Sequence, residues 1–290
     1  MAARRGLTFR RRVLGKELRT LRERHGITLK QAAEALGFSE TKLSRIESGH
    51  NNLPKIEDLE GLLDRYGVTD VDQRETMLRL HRESLSHDPY VSYQYSVLPS
   101  MPMYASLEAD ARQIRAWHVM YVLGLLQCES YTRAQFLAAK PIDERTTQFV
   151  ESNVRLRMDR KKALTRKDSP MSLHAVLDES VLRRVIGSPE IMKQQYAELQ
   201  RLCTLENVTV QILPLGNGCY RSGSNFTIMD FDAPLDPVVC LDAATGASFL
   251  EKEFDLQQYN RQMDAMRSEA WGPSATIGFL DRLTKEIDSA

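Results

Sequence analysis

Residues 28–48, TLKQAAEALGFSETKLSRIES, constrain this chain more than any other stretch. Leu29, Ala32, Ala33 and Leu36 fall at i, i+3, i+4 and i+7, the apolar stripe of a short helix. Gly37 then permits the positive φ that a sharp inter-helix turn needs. Phe38 plugs the junction, Ser39 is a good N-cap, and Leu43 and Ile46 supply the inner stripe of a second helix. Two helices crossing this tightly need a small residue where they touch, and Ala33 is placed to be it. The flanking sequence extends the pattern. A helix over 13–24 carries Leu14, Leu18 and Leu21 and stops at His25-Gly26. Another over 55–66 turns Ile56, Leu59, Leu62 and Leu63 inward and closes at Gly67. A fifth over 72–85 carries Met77, Leu78 and Leu80, with Val71 just before it. A helix this short is marginal alone, so its apolar face must pack on the same domain or on a second subunit.

The 28–48 pattern is that of a helix-turn-helix, whose second helix is built to enter a DNA major groove. With Leu43 and Ile46 inward, Glu40, Thr41, Ser44 and Arg45 point outward and Lys42 lies along the flank. Arg45 can grip guanine O6 and N7 with two bonds; Glu40 can accept from cytosine N4 or simply favour the helix N-terminus. The chain is similar, over residues 13–67, to the lambda-repressor-like (xenobiotic-response-element) helix-turn-helix family. The similarity rests on Leu14, Leu18 and Leu21, the ITLKQAAEALGFS core, the LSRIESG ending and the 54–66 helix that Pro54 opens. It implies base reading by Glu40, Thr41 and Arg45, and backbone contacts from Lys42, Asn51, Asn52 and Lys55. The capping residues Thr28 and Ser39 are grouped with these backbone contacts. It also implies a partly buried ion pair between Arg22 and Glu47, read as structural. Leu29 stands where some members have a polar residue, which weakens the case for a phosphate contact there.

Charge is distributed in keeping with this. The chain is neutral overall, but residues 1–66 hold fourteen Lys/Arg and nine Asp/Glu, a net of +5, leaving −5 for the remainder. The N-terminal part would attract phosphate. Residues 1–12, with Arg4, Arg5, Arg10, Arg11 and Arg12, read either as a solvated tail or as an arm adding phosphate or minor-groove contacts. Four cysteines stand alone at 128, 203, 219 and 240, in no CxxC and near no histidine at ligand spacing. Reduced thiols, no metal and no cofactor are expected. No apolar run is long enough to span a bilayer, and MAARRGLTFRRR lacks a signal core, so a cytoplasmic, nucleoid-associated protein is expected.

Residues 86–104, with three prolines and four tyrosines, read as a linker lying along a domain surface. Beyond it the pattern changes. Residues 107–127 read as helical until Gly124, followed by helices over 129–139, 143–166, 188–204, 253–270 and 274–287. Strands are expected in MSLHAVLDE, NVTVQILPL, SNFTIMDF and PVVCLDA, with a hairpin at GNGCYRSGSN between the second and third. The fold class is therefore an all-α five-helix domain (13–85) followed by a mixed α/β domain (105–290) with one modest sheet.

LEADARQIRAW, GLLQCESYTRA, VLDESVLRRVIG with PEIMKQQYAEL, and NVTVQILP with FTIMDF resemble the C-terminal domain of WhiJ-like actinobacterial regulators, over about residues 103–285. That family is grouped with antitoxin-like transcriptional regulators, has no established C-terminal chemistry, and is often encoded beside a small acidic protein. Such a partner is implied by the resemblance alone. Leu123 and Cys128 stand where relatives usually have Pro and Thr.

Three sets of residues in this half invite a functional reading. Arg155, Arg157, Arg160, Lys161, Lys162, Arg166 and Lys167 form a basic run, either a solvated helix face, a docking site for an acidic protein, or extra DNA contact. Tyr121, Gln127, Cys128 and Tyr131 surround the GLLQCESY loop, which reads as core packing or as an effector pocket. Asp178, Glu179, Asp230, Asp232, Asp236 and Asp242 lie at strand ends, where carboxylates usually meet solvent or cap a helix. His118 and His174 lie on apolar-patterned segments. No nucleophile–base set and no GxSxG, HExxH, P-loop or GxGxxG is found, so no enzyme is expected. The expected function is a DNA-binding regulator, a homodimer on a double-stranded operator, receiving a protein or small-molecule signal. The alternative is an antitoxin-like protein that sequesters a small acidic partner and autoregulates; a third reading is a DNA-tethered enzyme using Asp178 and Glu179.

Overall fold

The computed structural model describes all residues except 1–8, 54, 86–89, 91–92, 94–96, 99, 143–144, 219, 233–234, 244–245 and 290. Arg4 and Arg5, Pro54, most of the expected linker and Cys219 lie outside the described residues. The chain divides into two compact units, Met1–Ser92 and Tyr93–Ala290.

The first unit holds α1 (Phe9–Arg24), α2 (Leu29–Ala35), α3 (Glu40–Glu47), α4 (Ile56–Arg65) and α5 (Val71–Leu85). Their apolar stripes meet in one core of Leu14, Leu18, Leu21, Ala32, Ala33, Leu43, Ile46, Leu59, Leu62, Leu63, Met77 and Leu80. Thr28 and Gln31 form a full capping box at the start of α2. Gly37 takes φ +63 at the turn, and the Phe38 amide donates back to the Ala33 carbonyl at 2.9 Å. Gly15, in the middle of α1, lets that helix approach the end of α3; a Cβ there would stand 2.4 Å from the Ile46 carbonyl oxygen. α5 packs on its own domain, where buried His81 bonds the Leu53 carbonyl oxygen through Nε2 at 2.7 Å.

Three expectations for this unit are corrected. α1 starts at Phe9, so Arg10, Arg11 and Arg12 are helical, and Arg11 is buried. The three arginines before Val13 interrupt the apolar stripe, so nothing in their own pattern marks them as helical. Ile56 and Val71 do not point inward; they open α4 and α5, where the chain enters from solvent, and are 39 % and 74 % exposed.

The second unit is built on a six-stranded sheet of order β3-β2-β1-β4-β5-β6. The strands are β1 (Gln113–His118), β2 (Ser172–Asp178), β3 (Val208–Leu213), β4 (Phe226–Asp230), β5 (Val238–Ala243) and β6 (Gly246–Leu250). β1, β2 and β3 run parallel, and β4, β5 and β6 add antiparallel neighbours beyond β1. Helices α6 (Met101–Asp110), α7 (Glu129–Ala139), α8 (Thr147–Lys161), α9 (Glu179–Arg183) and α10 (Pro189–Leu202) precede or link the parallel strands; α11 (Glu253–Glu269) and α12 (Pro273–Asp288) close the unit. α11 covers one sheet face, packing Met263 and Met266 on Trp117, Val176, Phe226, Ile228 and Val239. Thr276 and the Trp271 amide satisfy the outer carbonyls of Val210 and Ile212 along the β3 edge.

The single mixed sheet is as expected, and two of its strands, β1 and β6, lie outside the four expected ones. Residues 113–118 form a central strand rather than part of a helix. Their alternation of Gln113, Arg115 and Trp117 with Ile114, Ala116 and His118 is hidden because both faces are covered. β6 is short and carries small residues. The GNGCYRSGSN stretch is not a hairpin: β4 pairs with β1, and β3 lies at the far edge. Arg221 fixes that stretch by donating to Asp178 at 3.0 Å and to the carbonyls of Asn217 and Pro214. The linker expected to reach residue 104 gives way at Met101 to α6, in which Met103 and Tyr104 are buried. The 143–166 helix is shorter, Thr147–Lys161, and finishes in a 3-10 turn over Lys162–Thr165.

Candidate nucleic-acid interface

The face of interest is assembled by caps on one side and an ion pair on the other. Ser39 accepts from the Lys42 amide at 3.2 Å and fixes the start of α3. Leu43 and Ile46 are buried, which forces Glu40, Thr41, Ser44 and Arg45 outward, and all four are exposed. Lys42 lies over the Phe38 ring, 3.1 Å from its centroid, so its position is set by the turn that joins α2 to α3.

At the end of α3, Arg22 donates from Nε and Nη2 to the two carboxylate oxygens of Glu47, at 2.7 and 2.8 Å. A third bond, from Arg22 Nη1 to the Ile27 carbonyl at 3.0 Å, ties in the loop before α2. Both side chains are almost wholly buried. The carboxylate hydrogen bond raises the Arg22 pKa, and burial beside Glu47 pushes the Tyr66 hydroxyl well above its ordinary range. The pair therefore holds α1 against α3 and faces the core.

The chain leaving α3 runs through Gly49 and is braced by the Asn51 amide, which donates to the Arg45 carbonyl at 2.9 Å. Asn51 and Asn52 are half-buried and Lys55 is exposed. Thr28 sits exposed at the N-terminus of α2, its hydroxyl engaged with Gln31. Sequence reasoning missed His50, exposed beside this loop with Nδ1 2.9 Å from the Ser48 hydroxyl. Its position next to Gly49 was the available signal.

The candidates of the second unit are not brought together as one surface. The basic run divides. Arg155, Lys162, Arg166 and Lys167 are exposed. Arg160 is buried and donates to both carboxylate oxygens of Glu108, at 2.7 and 2.8 Å, while Lys161 is tied to Glu198 and to the Gln127 carbonyl. Arg157 points inward to Gln127 and Gln135. Arg157, Arg160 and Lys161 thus leave the docking set, because α8 lies between other elements and turns these cations inward.

The four effector-loop residues also separate. Gln127 and Tyr131 are buried, and Gln127 is a clasp: its amide donates to the Val122 carbonyl at 2.6 Å while its oxygen accepts from Thr132 and Arg157. Cys128 lines two open grooves, of about 480 and 430 Å³, and Tyr121, Gln127 and Tyr131 line neither. The strand-end carboxylates are engaged locally. Asp178 holds Arg221 and caps α9, Glu179 accepts from the Leu215 amide and Arg183, and Asp230 takes a two-bond grip from Arg115. His174 bonds Gln211. Cys128, Cys203 and Cys240 are free thiols, and burial pushes Cys203 up to about 11. Among the described residues no group of His, Cys, Asp and Glu is placed to hold a metal ion, and no helix is long and apolar enough to cross a membrane.

Residues 13–77 match a family described as a helix-turn-helix domain, and residues 101–282 match one described as a domain of unknown function (DUF5753). No curated protein and no solved structure matches the chain. The chain carries a helix-turn-helix DNA-binding domain and, by a match over more than half its length, belongs to the DUF5753 family.

Proposed function

We propose that this protein is a sequence-specific transcriptional regulator of the lambda-repressor-like class, with a WhiJ-like C-terminal domain that dimerises and receives a signal. The observation that carries the reading is the exposed ridge of Glu40, Thr41, Ser44 and Arg45 on a helix whose other side is locked in the core. In this reading α3 lies in the major groove, Arg45 reads guanine, and Thr28, Ser39, Lys42, Asn51, Asn52 and Lys55 grip phosphates. A dimer would place its two ridges on half-sites about 34 Å apart. The signal would be a small molecule or a protein with different affinity for the DNA-competent and incompetent states. The protein would act in the cytoplasm, on the nucleoid, without catalysis of its own. Selecting binders for the full chain from randomised duplexes tests this. Enrichment of paired half-sites at that spacing is expected; recovery of unenriched sequence would overturn it.

A second reading, an antitoxin-like subunit holding a small acidic protein, is favoured by the exposure of Arg155, Lys162, Arg166 and Lys167. Reversing those four charges would then abolish a heterocomplex purified from native cells and spare operator binding. A heterocomplex that survived the reversal would remove this reading.

A further inference from the structure

α5 carries a polar side chain where its pattern asks for an apolar one. Its buried stripe is Met77, Leu80, His81 and Ser84, at i, i+3, i+4 and i+7. An apolar residue at 81 would fill that stripe without taking a polar ring out of water. His81 is nevertheless only 2 % exposed, and its ring reaches away from its own helix. Nε2 lies 2.7 Å from the Leu53 carbonyl oxygen, 28 residues earlier in the chain. A carbonyl only accepts, so Nε2 carries the ring proton and donates. Leu53 is buried too, so its carbonyl needs a donor from the protein rather than from water.

Leu53 stands in the loop between α3 and α4, after Asn51 and Asn52 and two residues before Lys55. The start of this loop is held by α3 itself. The Gly49 amide donates to the Ile46 carbonyl and the Asn51 amide to the Arg45 carbonyl, both at 2.9 Å. Its end has no matching local brace. α2, α3 and α5 each begin behind a side chain, Thr28, Ser39 and Asp70, that accepts from an amide of the first turn. α4 begins behind Lys55, an ammonium that cannot accept and makes no side-chain cap bond. The entry to α4 is therefore fixed from α5, by the bond of His81 to Leu53.

We propose that His81 is a positioning residue for the grip on the DNA backbone. By holding the Leu53 carbonyl it sets where Asn51, Asn52 and Lys55 meet phosphate, and it touches no nucleic acid itself. This rests on the reading of α3 as the major-groove helix and of those three residues as its backbone contacts. Base reading by Glu40, Thr41, Ser44 and Arg45 belongs to α3, whose cap and inner stripe do not involve His81. Losing the bond should therefore weaken binding to every duplex alike and leave the choice of sequence intact.

The test is a double-mutant cycle on the full chain, with affinity measured for a selected operator and for an unrelated duplex across a salt series. His81→Leu fills the apolar stripe and removes the donor. It should weaken both duplexes by about tenfold and lower the salt slope by about one, the share of Lys55. Lys55→Ala, costly in the wild type, should cost little more once His81 is gone. His81→Gln, whose amide can stand near the Nε2 position, should keep wild-type affinity; His81→Asn, whose amide stands near Nδ1, should not. Undiminished affinity in His81→Leu overturns the proposal. So do additive effects of the two substitutions, which would mean that His81 serves only the core of its unit. If His81→Leu does not fold, His81→Asn replaces it in the cycle, and unfolding of both overturns the proposal as well. A wild-type chain that prefers no sequence removes the DNA reading itself, a result that the variants cannot produce.

Discussion

α3 and α8 both carry basic residues at helical spacing, and the structure uses them in opposite ways. In α3, Lys42 and Arg45 stand on the side away from a core stripe of two apolar residues. In α8, Arg157 and Arg160 turn inward among Glu108, Gln127 and Gln135, and only Arg155 is left in solvent on that helix. The difference lies in surroundings rather than sequence. α3 has one buried face, so a cation off that face must meet water. α8 buries Val150, Ser152, Asn153, Val154 and Leu156 as well as Arg160, so it has no single polar side. A basic stripe indicates an electrostatic surface only where the helix has one covered side.

The largest expected effect lies at the most buried pair. Glu108→Ala leaves the Arg160 guanidinium charged and nearly out of water, and should cost about 3–5 kcal/mol in the C-terminal unit, read as a lowered transition for that unit on denaturant unfolding. An unchanged transition would mean that α8 is oriented by packing alone. Glu47→Ala breaks the corresponding pair at the end of α3 and should cost about 3 kcal/mol in the N-terminal unit. Operator affinity would then fall only as far as the folded fraction does; reduced affinity at unchanged stability would show that Glu47 works at the DNA instead.

A smaller effect follows acidification. Burial holds His118 and His174 below 6.5 in the folded chain, while in the unfolded chain they titrate near 6.5. As pH falls below about 6.5 the unfolded chain takes up protons that the folded chain does not, so stability drops. His118→Gln should flatten that slope, and an unaltered slope would place its source elsewhere. The smallest effect is at the α2 cap, where Thr28→Ala should cost about 1 kcal/mol in thermal unfolding of the N-terminal unit. Together these changes ask whether each unit's polar residues serve its core or its surface.

How much of this was legible beforehand follows from the same contrast. The N-terminal unit was readable because Leu29 to Ile46 announce their own periodicity, and local capping at Thr28 and Ser39 agrees with it. The exposure of Glu40, Thr41, Ser44 and Arg45 follows from the burial of Leu43 and Ile46. In the C-terminal unit β2, β3, β4 and β5 were visible as β-branched runs. β1 was not, because a strand covered on both faces loses its alternation, and Ile114 continues the apolar spacing of the helix before it. The pairing of β4 with β1 across more than a hundred residues leaves no local trace. The internal bonds of Arg157 and Arg160 were invisible for a related reason: their partners lie on α6, on α7 and just before α7, and their charges read as surface until the fold turns them inward.

The central claim is that Glu40, Thr41, Ser44 and Arg45 form the surface that reads DNA. The most direct test is the operator affinity of the full chain with all four replaced by alanine, measured beside its helical content and melting temperature. A well-made hydrogen-bonded pairing of side chain and base discriminates by roughly 1–3 kcal/mol, so without these four side chains specific binding should collapse to the non-specific level while folding is preserved. Undiminished specific affinity in that folded variant would contradict the account.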